Sequence, residues 1–350
     1  MQGQELQPAL WGVSRRVAPG ARPGRAATNA ALAAGDLLRT HVLRPTWHLV
    51  RPDDARWLLE LTAPRITRLM ASTEKAWRLG DLGPGADAVA AAVADGPRTR
   101  AQIKAELVAR GVLDPDAPGI AFTQMLMHAE LRRLVISGPP PAGTALQHQS
   151  YAAFDDRVPA GYGPMGERFD AEAAVVELWR RYLPGRAYAT IGDVRHWSGL
   201  TAGQLRPALA ALTDAGEAVQ VPGGGDLEGL TLVATPDGAT PEVTTADGAA
   251  DGLPRVDLLQ AYDELLLSYR ETRPVVLDPA LPLPGRTGAY VHCVAVDGVV
   301  AGRWRWPAPS GRGTNGGASA DVDVQWLREP SSRELEALAA AVADLAGYLD

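Results

Sequence analysis

The 350 residues exceed one ordinary domain and give room for about two to three, with 46% apolar residues to fill their cores. No run of about 18 apolar residues or charged-then-apolar leader occurs, which argues against a transmembrane helix and a secretory signal. A single cysteine, Cys293, cannot form an internal disulfide and suits a reducing cytoplasm. The net charge of −7 is uneven: residues 1–75 hold eleven basic and six acidic side chains, a distribution that fits either one face meeting a polyanion or chance.

The chain opens MQGQELQPALWGV, with Gln2 and Gln4 around a glycine just ahead of an apolar stretch. Position alone makes such residues a frayed lead-in. QPALWGVSRRV reads as a helix, ATNAALAAGD as a short one, and LLRTHVLRPTWHLV as two strands around Arg44-Pro45. Read as the helix-and-wing end of a winged helix, this would leave the unit's first helix absent. RPDDARWLLELTAPRITRLMAS, entered through Pro52 and Asp53, links onward.

From 86 to 152 the order is ADAVAAAVADG, then TRAQIKAELVARG with Thr99 as N-cap and Gly111 past its end, then IAFTQMLMHAELRRL. A strand VISG, a turn PPPAGTA and a strand QHQSYAAF follow, completing helix–helix–helix–hairpin. The same order returns at 170–236, with Thr190 and Thr201 opening the second and third helices and Pro207 marking a kink or start. After Asp251 come short strands, VVLD, AYVHCVAV, GVVAGRWRW and ADVDVQWL, and a closing helix SSRELEALAAAVADLAGYLD. GRGTNGGASA reads as a flexible loop. The predicted class is α+β: three tandem winged helix-turn-helix units, then a small antiparallel barrel or sheet with a terminal helix. The divisions are 1–75 (first unit, N-terminally truncated, with linker helix), 76–158 (second), 159–250 (third) and 251–350 (C-terminal β-barrel with closing helix).

Six scattered histidines show no ligand spacing, and neither a G-x-S-x-G nor a phosphate-loop nor a dinucleotide fingerprint is present, so no metal or cofactor is expected. Cys293 reads as a small apolar filler in AYVHCVAV. The densest cluster of functional residue types is RTHVLRPTWHLVRPDD. Strand alternation puts Thr46 and His48 together, opposite Trp47 and Leu49, with Arg44 at the turn. That face suits a phosphate or base edge, or simply meets solvent; the pattern leaves both open. Tyr262, Asp263 and Glu264 form a second cluster, whose plainer reading is a helix or turn with a solvated acidic pair. Arg303 and Arg305 share one strand face and Trp304 and Trp306 the other, a sheet surface first and a stacking platform second.

At these residues the chain resembles the AlkZ-like winged-helix DNA glycosylases of bacteria. The resemblance rests on Gln2-Gly3-Gln4 before PALWGV, on Arg44-Pro45-Thr46-Trp47-His48-Leu49-Val50, on Tyr262-Asp263-Glu264 and on DGVVAGRW, in that order; QHQSYAAFDDRVP adds a link after the second unit. It implies three tandem winged helices and a β-barrel forming a curved body whose concave face holds duplex DNA. Gln2 and Gln4 then become the catalytic pair, and MQGQ a cut edge that lacks the family's preceding helix. Arg39 and Arg44 would hold phosphates and Thr46 and His48 would shape the groove beside the lesion, with His41, Tyr262, Asp263 and Arg303 as further DNA-contacting candidates. The activity implied is hydrolysis of the N-glycosidic bond of N7-alkylated purines, with unhooking of interstrand crosslinks, by a cofactor-free monomer in the cytoplasm, associated with the nucleoid. The alternatives are a non-catalytic winged-helix DNA-binding regulator and an inactive, truncated relative.

Overall fold

The computed structural model describes residues 1–141, 149–239, 252–277, 291–307 and 322–350. The turn PPPAGTA beyond Pro141 and the GRGTNGGASA loop lie outside these residues. Packing divides the chain into two compact units. The first comprises Met1–Gln4, Asn29–Trp179 and Trp197–Ala208; the second comprises Glu5–Thr28, Arg180–His196 and Leu209–Asp350.

In chain order, α1 (Leu6–Ser14) holds the buried Ala9, Leu10 and Trp11, and α2 (Arg25–Ala34) ends where Gly35 turns left-handed at φ +93°. Strands β1 (Leu38–His41) and β2 (Trp47–Val50) pair antiparallel. Helix α3 (Pro52–Trp77) begins with proline in its first turn and with Asp53 and Asp54 complementing the helix dipole. It continues through Pro64 and stops at Arg78, which is left-handed at φ 53°.

Next come α4 (Gly83–Ala92), β3 (Arg98–Thr99), α5 (Arg100–Ala109), α6 (Gly119–Leu131), β4 (Val135–Ser137) and β5 (Ser150–Ala153). Thr99 caps α5 reciprocally: its hydroxyl accepts from the Gln102 N–H (3.2 Å) and its own N–H donates to Gln102 Oε1 (2.8 Å). The short strand β3, which carries too little pattern to be read from sequence, pairs with β5 in the order β3-β5-β4. Ile103, Leu107, Phe122, Leu126, Val135 and Tyr151 close one core between these helices and this sheet.

The second run is α7 (Ala171–Tyr182), α8 (Ile191–Ser198), α9 (Ala202–Asp214), β6 (Val219–Pro222) and β7 (Thr231–Ala234). Thr190 and Asp193 cap α8 in both directions at 3.0 Å, and Thr201 with Gln204 does the same for α9. Helix α9 runs through Pro207 rather than starting there. Ala189 bridges Val233, adding a third strand position to the β6–β7 hairpin.

The remaining elements are β8 (Val256–Leu259), α10 (Glu264–Leu267), β9 (Cys293–Val296), β10 (Val299–Trp304), β11 (Val324–Trp326) and α11 (Ser332–Leu349). Among the described residues these strands form an open antiparallel sheet, β11-β10-β9-β8, and no closed barrel. Helices finish it instead. Trp11 of α1 and Ala337, Ala341, Leu345 and Tyr348 of α11 pack against Val256, Leu258 and Val294 of the strands.

Two segments differ from the sequence reading. VVLD opens no strand among the described residues: Arg273–Val275 form a 3-10 turn. The strand lies upstream at β8, where Val256 and Leu258 point inward in alternation, just ahead of the Tyr262-Asp263-Glu264 cluster read as helix or turn. Cys293 is fully buried in β9, as a filler should be, and burial pushes its thiol up to about 12.

Candidate active site

The site assembles on the β1–β2 hairpin of the first unit. Its register sets Thr40 opposite His48 and His41 opposite Trp47. Residues 1–4 lie along the free edge of β2. Gly3 N–H donates to the Trp47 carbonyl and Leu49 N–H to the Met1 carbonyl, both at 2.7 Å, and Gln2 bridges His48. The pairing holds at Gln2, and the chain bends at Gln4 ahead of α1, so both glutamines stay beside the hairpin.

Both carboxamides are held. Gln2 is 3% exposed, and its Oε1 accepts from the Arg44 guanidinium at 3.0 Å. Gln4 Oε1 accepts from the Trp47 backbone N–H at 2.9 Å. A guanidinium and a backbone N–H can only donate, so each amide has its oxygen toward the hairpin.

Arg39 fixes the backbone of the same segment. Its Nε donates to the Gly3 carbonyl (2.7 Å), one terminal nitrogen to the Gln4 carbonyl (3.1 Å) and the other to Gln149 Oε1. The guanidinium also lies over the Trp47 ring, 4.2 Å from its centroid. Burial lowers its pKa to about 10, which leaves it charged at neutral pH.

The other hairpin candidates divide by burial. His41 is buried, with Nδ1 hydrogen-bonded to the buried Glu130 carboxylate and its ring 4.7 Å from that of Trp47. His48 is 1% exposed and donates from Nδ1 to the Thr46 carbonyl at 2.9 Å. Neither histidine presents a polar face to solvent, because residues 1–4 cover the edge of β2 and Ser137 of β4 accepts the Arg39 backbone N–H at 2.7 Å. Arg44 and Thr46 remain half-buried around the exposed Pro45. The Thr46 hydroxyl and the Trp47 indole N–H are enclosed without a hydrogen-bond partner among the described residues.

Tyr262, Asp263 and Arg303 belong to the second unit. Tyr262 is half-buried. Asp263 is fully buried; it receives two hydrogen bonds from Arg16 (2.7 and 3.1 Å) and caps α10 through Leu265 N–H. Burial works against the Arg16 charge, yet Asp263 beside it raises the pKa above its ordinary value. Glu264 is buried too, accepting from Ser268 Oγ at 2.6 Å, so the pair is internal rather than solvated.

Arg303 donates to Gln325 Oε1 and lines a cavity of about 300 Å³ with Glu5, His292 and Trp304. There Ala261 N–H donates to His292 Nδ1 (3.0 Å), which leaves Nε2 to face Glu5 at 3.1 Å. The hydrogen bond from His292 holds the Glu5 carboxyl below its ordinary range. Trp304 points into the core and donates to the Leu259 carbonyl, as the sheet-surface reading requires.

Sequence reasoning missed Glu130, Gln149 and Arg16, each of which meets its partner across 89 or more positions and so carries no local signal. Among the described residues no cluster of metal-ligand type occurs and no helix is long and apolar enough to cross a membrane.

A family model described as DNA glycosylase AlkZ-like matches residues 1–348. The solved structure of the Streptomyces sahachiroi DNA glycosylase AlkZ is similar in fold, with a TM-score of 0.67 and 21% identity, covering 99% of this chain and 88% of that one. No curated protein matches.

Proposed function

The chain belongs to the AlkZ-like DNA glycosylase family, and from that premise we propose that it hydrolyses the N-glycosidic bond of N7-alkylated purines in duplex DNA, interstrand crosslinks among them. The two helix–helix–helix–hairpin runs are read as winged-helix units, with the β1–β2 hairpin as the wing of a third.

The observation that carries the reading is the pair of anchored carboxamides. Glutamine does not titrate near neutral pH, so neither Gln2 nor Gln4 can be a true general base. An N7-alkylated purine needs no acid, because it already carries a positive charge and leaves as a neutral base. Water attacks the anomeric carbon, the bond to the purine nitrogen breaks with its electron pair going to the base, and the water releases a proton. The products are a free alkylpurine and an abasic site.

The protein's task is then positional and electrostatic. An amide oxygen has two lone pairs. Arg44 or the Trp47 N–H takes one on each glutamine, and this reading gives the other to the attacking water. Fixing the amides before substrate arrives removes their reorganisation from the barrier.

The test is base release from duplex DNA carrying N7-methylguanine, followed as alkali-labile strand breaks. Gln2→Ala and Gln4→Ala should each lower the single-turnover rate by about 100-fold or more, the loss typical of removing one preorganised hydrogen-bonding group. Wild-type release that survives both substitutions would overturn the role of the pair. No release from any form would leave a DNA-binding protein without glycosylase activity.

A further inference from the structure

Eleven basic side chains lie in residues 1–75, and the structure decides which of them are available. Arg15, Arg16, Arg22, Arg51 and Arg56 are ion-paired to aspartates. Arg39 and Arg44 are given to the Gln2–Gln4 segment, and Arg25 is engaged as well. Arg65, Arg68 and Lys75 have no carboxylate within ion-pair distance among the described residues, and all three lie on α3.

Their spacing places them together. Positions 65, 68, 72 and 75 fall within about 80° of helix circumference and span about 15 Å along the axis. Arg68, Ser72 and Lys75 are exposed and Arg65 is half-buried. Leu69, 47% exposed, borders the stripe. Glu60 and Glu74 of the same helix lie outside the stripe, tied to Arg133 and His128. Ile66 and Met70 bury the side of this half of the helix that faces away from the stripe. The stripe is therefore cationic without internal neutralisation, on a helix whose opposite face is packed.

We propose that Arg65, Arg68, Ser72 and Lys75 form a docking surface for the phosphate backbone of duplex DNA, in place of the hairpin arginines. The proposal rests on the DNA reading above and assigns where the positioning contacts are made. Arginine and lysine neutralise phosphates, Ser72, whose hydroxyl donates to the Leu69 carbonyl at 3.0 Å, leaves the stripe free of negative charge, and none of the four reads bases. Binding through the stripe is accordingly indifferent to sequence and steep in salt.

The experiment is fluorescence anisotropy of labelled, undamaged duplex DNA with the full chain, titrated at several salt concentrations. The double variant R68Q/K75Q removes two exposed charges and should fold as wild type, verified by its circular dichroism and melting temperature. Two lost phosphate contacts should reduce the slope of log K against log salt by about 1.8. R68K should keep the wild-type slope. Steep wild-type binding with an unchanged slope in R68Q/K75Q would overturn the stripe while leaving DNA binding intact. Failure of the wild type itself to bind duplex would overturn both. A parallel arm with phosphatidylcholine–phosphatidylserine vesicles separates an anionic membrane: vesicle binding lost in R68Q/K75Q, without duplex binding, would assign the stripe to lipid and overturn the proposal.

Discussion

Arg39 commits its guanidinium to two backbone carbonyls, one side-chain carbonyl and one indole face. Removing it leaves the Gly3 and Gln4 carbonyls without that donor, and leaving buried groups unsatisfied costs about 1–3 kcal/mol each. Arg39→Ala should therefore unfold at lower denaturant than wild type and lose single-turnover rate, while its DNA affinity and salt slope stay unchanged. A fallen salt slope with an intact rate would instead make Arg39 a phosphate contact. Arg44 is tested in the same way: Arg44→Ala frees the Gln2 amide, so the rate should drop, by about tenfold or more, with little change in DNA affinity. The pH dependence follows from the same residues. On the proposed reading, which puts two amides in place of a base, the single-turnover rate on N7-methylguanine should be flat between about pH 6 and 8. A rate that rises tenfold per pH unit across that window would point to a titrating base and away from the glutamines.

Among the elements, α11 offers the clearest stability test. Ser331 and Glu334 cap it reciprocally, and Arg328 also grips Glu334. The hydrogen bonds from Arg328 come first in lowering the Glu334 pKa to about 2. A depressed carboxylate stabilises the fold above its ordinary pKa of 4.5, and that contribution fades as pH falls from there toward about 2. Glu334→Ala should cost about 1 kcal/mol at neutral pH, as cap losses do, and the difference from wild type should shrink in acid. Chemical denaturation at pH 7 and pH 3 measures both. Helix α3 is packed unevenly along its length. Trp57, Leu58 and Leu61 bury its first half, whereas its second half is buried only through Ile66 and Met70 and leaves the opposite face to the basic positions.

At the scale of the whole molecule, the single cysteine reports on folding. Cys293 is enclosed in the sheet core of the second unit, and its thiol is held far from the thiolate form. A thiol reagent at pH 8 should not modify the native protein, and one equivalent should react in guanidinium chloride. Rapid native labelling would mean that the sheet opens readily. The charge of −7 likewise has no single location: the positive surplus of the first fifth narrows, after internal pairing, to α3.

Local signals in the sequence determined the elements. Capping residues such as Thr99, Thr190 and Thr201, and the hairpin around Arg44-Pro45, act within a few positions and so could be read directly. The terminal helix was visible for the same reason, whereas Gln2-Gly3-Gln4 was singled out only by the family resemblance, since position alone makes it a frayed lead-in. What only the tertiary structure decided were partners distant in the chain: Arg39 with Gln149, His41 with Glu130 and Arg16 with Asp263. Such pairs turned expected surface contacts into internal ones, because a charged or polar side chain has the same appearance in sequence whether it meets solvent or a buried partner. The open sheet and the cationic face of α3 follow from the same cause, since burial and pairing are set by which segments the fold brings together.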